Sequence, residues 1–254
     1  ITKMPDQAKA LAAAFWPGSL TLILKKNAHI PDLITAGKDT VGVRIPNHPL
    51  TLKLLAQLDF PLAAPSANPF THISSTTPAH VAAYFPDQLK MVLDGGPCSK
   101  GIESTIIGFS NGVPILYRLG AISLESIEEI VGPIAVLNKS DKKENAPEAP
   151  GMLSRHYAPR TPFILVKNVV ACIDTYSNKK TGVLSFHNTF SHSAIQYQIN
   201  LSSTQNMEEA AVNLYAALHT LDTMNLDLII AERLPDTGLG RAINDRLERA
   251  SKKE

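Results

Sequence analysis

Apolar and polar positions recur along the chain with the two periods that mark helices and strands. Residues 6–15 are rich in alanine with the larger apolar residues on one face, which predicts a helix that Pro17 ends. The apolar run at 20–24 is predicted to be a strand. Pro78 and Ser123 stand where a first helical residue and a helix cap are expected. The same patterns predict strands at 40–45, 61–64, 91–93, 104–109 and 114–118, and helices at 50–58, 80–84 and 124–131.

The composition changes at residues 138–150, which read NKSDKKENAPEAP. Charged residues, proline and alanine without an apolar period are typical of a linker. Strands that alternate with helices beyond it favour a small α/β domain with parallel strand pairing. The predicted strands there are at 163–166, 182–185 and 226–230, and the helices at 207–221 and near 241–250.

Length and charge narrow the class of protein. A chain of 254 residues exceeds the usual single domain, so two domains are expected, and 44% hydrophobic with 19% charged residues is typical of a soluble globular protein. The formal net charge is only +1, from 24 basic and 23 acidic side chains. Proteins held to RNA by phosphate contacts carry a basic excess, so any RNA contact is expected to be weak and local.

Two cysteines, Cys98 and Cys172, lie far apart in the chain. Their spacing disfavours a structural disulfide or a cysteine zinc site and fits a reducing, cytoplasmic compartment. No apolar run reaches membrane-spanning length, so no membrane contact is expected. The sequence begins at Ile1, inside the approach to a helix, and we expect an N-terminal portion to precede it.

The segment Ala64-Pro65-Ser66-Ala67-Asn68 follows a predicted buried strand. Strand ends that deliver hydroxyl and amide groups into a loop are where α/β proteins place ligand contacts. Ser66 can donate to a phosphate oxygen, and Asn68 can donate and accept. The alternative is an Asx or Ser turn that satisfies its own backbone, which is the commoner role of an isolated S-x-N.

Arg44 is a cation within an otherwise apolar predicted strand. It either faces solvent on an edge strand or lines a pocket, where its planar fork suits a carboxylate or phosphate. Thr40, four positions earlier, is expected on the same side because strand side chains alternate.

The glycine pair at 95–96 leads through Gly101 to Ser104, and paired glycines let backbone N–H groups approach an anion. Arg118 ends a predicted strand just before Gly120. There is no P-loop, no G-x-S-x-G elbow and no histidine spacing for zinc. Hydroxyls, amides and arginines without a nucleophile suit the positioning of a nucleotide more than covalent catalysis.

Together, in this order, these segments resemble the Sua5/YrdC family of threonylcarbamoyl-AMP synthases, and the resemblance spans nearly the whole chain. Each motif is weak alone, whereas their joint order is specific. In the first part the matching residues are FWPGSLT at 15–21, VGVRIP at 41–46, APSAN at 64–68, LDGGP at 93–97, GIEST at 101–105 and LYRLG at 116–120. After the linker they are PGM at 150–152, RHYAP at 155–159, LYAAL at 214–218, AE at 231–232 and GLGRAI at 238–243.

The resemblance implies an α/β fold with a twisted sheet that encloses a large concave site, and a smaller Rossmann-like second domain. The expected organisation is a YrdC-like catalytic domain over residues 1–133, N-terminally incomplete, then a linker and active-site lid over 134–160, then a Sua5-type domain over 161–254. The implied activity is adenylyl transfer from ATP, with Mg²⁺. L-threonine, bicarbonate and ATP would give threonylcarbamoyl-AMP and pyrophosphate, which supplies N6-threonylcarbamoyladenosine to the tRNA-modification machinery downstream.

Residue by residue, the resemblance implies two groups of contacts. Those expected to bind ATP are Thr40, Ser66, Asn68, Ser74, Arg118 and Tyr157. Those expected to bind L-threonine are Arg44 and Ser104, with Arg44 as the fork for the carboxylate. No catalytic residue and no protein ligand to a metal is assigned.

The sequence departs from the family pattern at several places. Phe70-Thr71 stand where the family has Ser-Gly, Ser74-Ser75-Thr76 replace Ser-Pro-Thr, and Gly108 replaces an aspartate. The family's Thr-rich motif and Lys-x-Arg segment would lie before Ile1. Two other functions were weighed. A YrdC-like RNA-binding module without turnover is disfavoured by the charge, and a carbamoyl-phosphate enzyme would show acylphosphatase and zinc-finger segments that are not visible.

Overall fold

The computed structural model describes residues 1–137 and 156–252. The predicted linker at 138–150 therefore lies outside the described residues. Those residues form two compact units, one from 1–65 and 103–137 and the other from 66–102 and 156–252. The domain boundaries drawn from the sequence stay a prediction.

The elements follow one another in the order α1 (Asp6–Phe15), β1 (Leu20–Lys25), α2 (Asp32–Thr35), β2 (Thr40–Val43), α3 (Pro49–Leu55), α4 (Pro78–Tyr84), β3 (Thr105–Ser110), β4 (Val113–Arg118), α5 (Leu124–Val131), β5 (Ala135–Val136), β6 (Phe163–Val166), α6 (Val169–Thr175), β7 (Thr181–Ser185), β8 (Ile195–Asn200), α7 (Met207–Asp222), β9 (Leu228–Glu232) and α8 (Gly240–Ala250).

The first unit contains a five-stranded sheet in the order β2-β1-β3-β4-β5. Alternate residues of β1, Leu20, Leu22 and Leu24, are buried on one face of the sheet. They pack in one cluster with Leu11 of α1 and Ile127 of α5. Each such buried side chain contributes about 1.5–3 kcal/mol, so this face is the core of the unit. The residues between them belong to the other face, which is the one that carries the candidate site.

The second unit contains a four-stranded sheet in the order β6-β9-β7-β8, and all of its neighbouring strands are parallel. Its core joins Val183 and Ile230 of the central strands to Val169 and Ile173 of α6. The fully buried Leu214, Leu218 and Leu221 repeat along α7 with helical spacing. The α/β class with two sheets, and the parallel pairing expected beyond the linker, are confirmed.

Most long elements lie where the pattern predicts them, and two short ones do not. Residues 61–64 and 91–93 are exposed and are not strands. A run of three or four apolar residues becomes a strand only where a neighbour pairs with its backbone, and neither segment pairs with another strand within the described residues. The prediction missed β8, whose sequence IQYQIN is rich in Asn and Gln, and also α6, α2 and β5.

Candidate active site

Polar side chains meet at one edge of the first sheet because of the strand directions. β1 is parallel to β3 and antiparallel to β2, while β4 is antiparallel to β3. The starts of β1 and β3 therefore lie beside the ends of β2 and β4. This edge carries Thr21 near the start of β1, Ser104 just before β3, Arg44 just after β2, and Arg118 at the end of β4.

Ser104 is the centre of this group. Its hydroxyl lies 2.7 Å from Thr21 Oγ1 and accepts from Arg118 Nη2 at 3.1 Å. Arg118 also donates from Nε and Nη2 to the Ser104 carbonyl oxygen, at 3.1 and 2.9 Å. Ser104 is 6% exposed, so these contacts hold it from several sides. The family resemblance implies an ATP contact for Arg118 and a threonine contact for Ser104, and the structure brings these two residues into contact.

A β-bulge determines on which face of the sheet the Arg118 side chain lies. Ile107 pairs with Leu116, but the next residue, Ile106, pairs with Arg118, so Tyr117 is an extra residue in β4. Simple alternation would place Arg118 on the face of the buried Leu116. The bulge instead places it opposite Ile106, on the other face from the core. Tyr117 packs there too, in a cluster with Ile106 and Ile23.

Arg44 lies on the same face as Thr21. Its Nε donates to the Gly18 carbonyl oxygen at 2.8 Å, which fixes the plane of the guanidinium. The pairing of Val43 with Leu22 and of Thr40 with Lys25 confirms that Thr40 and Arg44 share a side. Thr40 nevertheless begins β2, about 13 Å along the strand from Arg44, so it does not join the group around Ser104.

Gly120 allows the chain after β4 to press against Ser104. A Cβ atom at Gly120 would lie 2.3 Å from both the Ser104 carbonyl carbon and the Thr105 nitrogen. Just beyond it, Ile122 N donates to Thr105 Oγ1 at 3.0 Å, and that hydroxyl donates to the Ile122 carbonyl at 2.7 Å. The glycine in this motif is therefore required by the close approach of two backbones.

Thr21 was not selected from the sequence, although it ends the FWPGSLT motif. Nothing local distinguishes it from any other strand threonine. Its contact with Ser104 depends on the parallel register of β1 and β3, which joins residues 83 positions apart.

The other predicted ATP contacts lie in the second unit, in the loop at 66–76. Ser66 is exposed, whereas Ser74 is buried at 7% exposure. Ser75 Oγ donates to the Ala67 carbonyl at 2.7 Å and ties the two ends of the loop together. Ser66 and Ser74 thus belong to one closed loop.

Asn68 orders the middle of this loop. Its Nδ2 donates to the carbonyls of Pro69 and His72 at 3.0 and 3.1 Å. Its Oδ1 is buried and has no hydrogen-bond partner within the described residues. The amide nitrogen therefore makes the local turn that the sequence offers as one alternative, and the ligand role of Asn68 stays a prediction.

Thr71 adopts a backbone conformation suited to glycine. Its φ is 67°, in the left-handed region that is strained for a β-branched residue. This is the position where the family pattern has glycine. The Thr71 carbonyl accepts from Ala158 N at 2.9 Å, beside a parallel bridge between His72 and Ala158. The departure from the family pattern leaves the turn in place and strains its backbone.

Tyr157 is buried in the second unit at 1% exposure. Its ring centroid lies 5.6 Å from that of Tyr215 and 5.5 Å from the Arg246 guanidinium carbon. The remainder of the predicted lid before His156 lies largely outside the described residues. In the conformation described, the phenol ring is part of the packing of this unit.

Among residues 1–137 and 156–252, no group of His, Cys, Asp or Glu is arranged to hold a metal ion. In that same part of the chain, no helix is both long and apolar enough to cross a membrane.

Residues 1–120 match the Sua5/YciO/YrdC family model, which is described as telomere recombination. Residues 122–252 match the model described as threonylcarbamoyl-AMP synthase, C-terminal domain. The chain belongs to the Sua5 family. The family predicted from the ordered motifs is thereby confirmed.

Three relatives named threonylcarbamoyl-AMP synthase match almost the whole chain. The protein from Bacillus subtilis is 38% identical over 97% of this chain and 73% of its own length. That from Pyrococcus abyssi is 38% identical, over 98% and 75%. That from Schizosaccharomyces pombe is 33% identical, over 98% and 67%.

The crystal structure of Pyrococcus abyssi Sua5 complexed with L-threonine is similar to this Sua5 chain. The TM-score is 0.88 at 37% identity, with 98% of this chain and 75% of the other covered. A variant of that protein with a histidine and a tyrosine replaced by alanine gives a TM-score of 0.86 at 36% identity, over 98% and 74%.

Proposed function

We propose that this Sua5 chain is a threonylcarbamoyl-AMP synthase, which forms threonylcarbamoyl-AMP and pyrophosphate from L-threonine, bicarbonate and ATP. The relatives of that name support the activity. The observation that carries it is the row of Arg44, Thr21, Ser104 and Arg118 at one sheet edge. The product supplies threonylcarbamoyladenosine to tRNA through downstream enzymes, and the proposed location is the cytoplasm.

The two arginines suit two different anions. Arg44, with its plane fixed by Gly18, presents a planar fork for the threonine carboxylate. Arg118, held on Ser104, supplies positive charge next to that subsite, where the phosphates of ATP would be neutralised. The Ser104 hydroxyl accepts from Arg118 and lies 2.7 Å from that of Thr21, so this pair of hydroxyls offers a donor to the amino acid.

The reaction runs in two steps. The threonine amine forms a carbamate with bicarbonate and releases water, and a carbamate oxygen then attacks the α-phosphorus of ATP as pyrophosphate leaves. No protein nucleophile is needed, so the contribution of the chain is alignment and charge stabilisation. Arginines and hydroxyls are the side chains for those roles.

Mg²⁺ belongs to this proposal as the ion that ATP carries. Protein Mg²⁺ sites use carboxylates together with substrate phosphates, and the candidate groups here are guanidinium and hydroxyl. These groups do not form a Mg²⁺ site by themselves. When bound, the ion would neutralise phosphate charge. The roles given above for alignment and charge stabilisation belong to side chains of this chain.

The lid role of Tyr157 is also proposed. A closed lid would exclude water from a labile mixed anhydride. Because the Tyr157 ring is buried against Tyr215, contact between this ring and ATP would require it to leave that packing. Unchanged ATP kinetics in the Tyr157→Phe variant would leave the hydroxyl without a role in ATP binding.

Pyrophosphate release by the intact protein tests the function. We expect release that requires threonine, bicarbonate and ATP together, with Thr21→Val raising the KM for threonine about tenfold through its lost hydroxyl. The matched control is Thr220→Val, at an exposed position of α7. Release without any dependence on threonine would reject the synthase. Salt-sensitive tRNA binding without ATP turnover would instead support the RNA-binding alternative.

A further inference from the structure

Two histidines from different helices are stacked beside the loop at 66–76. The rings of His80 in α4 and His219 in α7 have centroids 3.8 Å apart and planes inclined by 27°. His219 Nε2 lies 3.1 Å from the carbonyl oxygen of Ser74. A residue of helix α7 therefore contacts the backbone of a predicted ATP contact.

The hydrogen bonds define the protonation of this pair. A carbonyl oxygen only accepts, so His219 Nε2 carries a proton and donates to Ser74. The Thr76 backbone N–H donates to His80 Nδ1 at 3.2 Å, so this nitrogen is unprotonated. Both bonds are made with neutral rings, and both hold the segment from Ser74 to Thr76.

The segment has little freedom of its own around these contacts. Ile73, Ser74 and Thr76 are buried, at 1%, 7% and 6% exposure. The Thr76 carbonyl also accepts from Cys98 N at 2.9 Å. Without the His219 donor, the Ser74 carbonyl oxygen would lose this hydrogen bond. We therefore expect the loop segment that carries Ser74 to shift.

We propose that His219, stacked on His80, is a positioning residue that holds Ser74 for ATP, so that helix α7 of the C-terminal region sets the affinity of the enzyme for its nucleotide. This inference rests on the proposed function and on the ATP role of Ser74. It gives the C-terminal region a part in the reaction that needs no contact with the reacting atoms.

The pair also makes the position of Ser74 sensitive to acid. Burial, and then the charge of His80, lower the pKa of His219 below 6.5, opposed by the Ser74 hydrogen bond and Asp222. Burial likewise lowers the pKa of His80 below 6.5. The pair is thus neutral above this pH, where its contribution is fully present. Protonation as the pH falls places two positive rings face to face and weakens the arrangement.

Three other titratable groups lie near His219 or its neighbours. Tyr84 of α4, with its ring centroid 5.6 Å from that of His219, has its pKa raised to about 12 by burial and by Asp222, so it stays neutral. Asp222 accepts from Thr161 N at 2.8 Å and pairs with Arg160 at 3.4 Å. The ring centroid of His72 lies 6.0 Å from that of Tyr84.

Steady-state kinetics and equilibrium ATP binding of the intact protein test the proposal with two variants. His219→Phe keeps a ring for stacking and loses the donor, whereas His219→Gln keeps a donor at similar reach and does not titrate. At about pH 8 we expect the Phe variant to raise the KM and Kd for ATP about tenfold, with kcat and the threonine KM changed less than about twofold. The Gln variant should stay near wild type.

Lowering the pH from about 8 to about 5 should weaken ATP binding by the wild type and by the control His192→Gln more than by His219→Gln, in which only His80 of the pair still titrates. His192 is a partly exposed histidine of the same unit that pairs with Asp174. An acid effect in His219→Gln as large as that of the wild type, or equal changes in kcat and both KM values in His219→Phe, would overturn the positioning role. ATP binding decides this even if turnover shows no threonine dependence, an outcome that would reject the proposed function separately.

Discussion

The two units hold their candidate ligand groups by different means. At the edge of the first sheet, Thr21, Ser104 and Arg118 are placed by strand register and bonded to one another. In the second unit, the loop at 66–76 is closed by its own hydrogen bonds and held from outside by the side chains of His80 and His219.

This difference determines how easily a substitution can change the geometry of each region. A sheet edge can change only if the register of several strands changes, so its geometry is stiff. A loop held by side chains from α4 and α7 can be adjusted by substitutions in those helices. We therefore expect the proposed amino-acid subsite to tolerate little change, and the proposed nucleotide contacts in the second unit to respond to substitutions in the C-terminal region.

The largest effect is expected from Arg118→Ala. The change removes a cation and three hydrogen bonds to Ser104, so the rate of pyrophosphate release should fall by about a hundredfold or more. The matched control is Lys9→Ala, an exposed side chain paired with Asp6 that should leave the rate unchanged. A fall in this rate of less than about threefold would contradict the conclusion that the geometry of the sheet edge is stiff.

A smaller effect, on stability, is expected from Gly120→Ala. Its new methyl group would meet backbone atoms of Ser104 and Thr105, which cannot rotate away, and we expect a loss of about 3 kcal/mol. Gly112→Ala is the control, since it has open space but a φ of 84°, and should cost about 1 kcal/mol through backbone strain alone. Thermal unfolding of the two variants compares them, and equal shifts would show that the edge yields to the methyl group.

The smallest effect is expected from Thr71→Gly in the loop. Glycine relieves the strain at a φ of 67° but loses more entropy on folding, so the net gain in stability is expected to be at most about 1 kcal/mol. Thr71→Ala keeps the left-handed strain and should give no gain. Denaturant titration distinguishes the two, and equal stability of both variants would mean that the turn is not strained.

The local pattern was sufficient for the long elements. The apolar period predicted α1, α5 and α7 nearly to the residue, and Ser123 caps α5 by accepting from Ser126 N as expected. It failed at 61–64 and 91–93, where a short apolar run lacks a pairing neighbour among the described residues. A periodic pattern indicates that one face of an element is buried, and a run of three or four residues is too short to show such a period.

For the candidate site, the residue types were predictable but their grouping was not. The sequence predicts Arg44 as a cation within an apolar strand and Ser104 and Arg118 as polar groups at strand ends, and the structure brings Ser104 and Arg118 into contact. Thr21 was missed because its role depends on a partner strand. The sharing of a side by Thr40 and Arg44 was predicted correctly, since strand alternation is local.

By itself, the sequence determined the family, the α/β class and the kinds of side chain available for nucleotide chemistry, because each is encoded in short, ordered segments. Only the tertiary structure decided that Thr21 meets Ser104 across 83 positions and that a bulge turns Arg118 to the face opposite the core. It also decided that His219 reaches Ser74 across 145 positions. The physical reason is the same in each case: register and helix packing are settled by burial of the whole core, and no local segment contains that information.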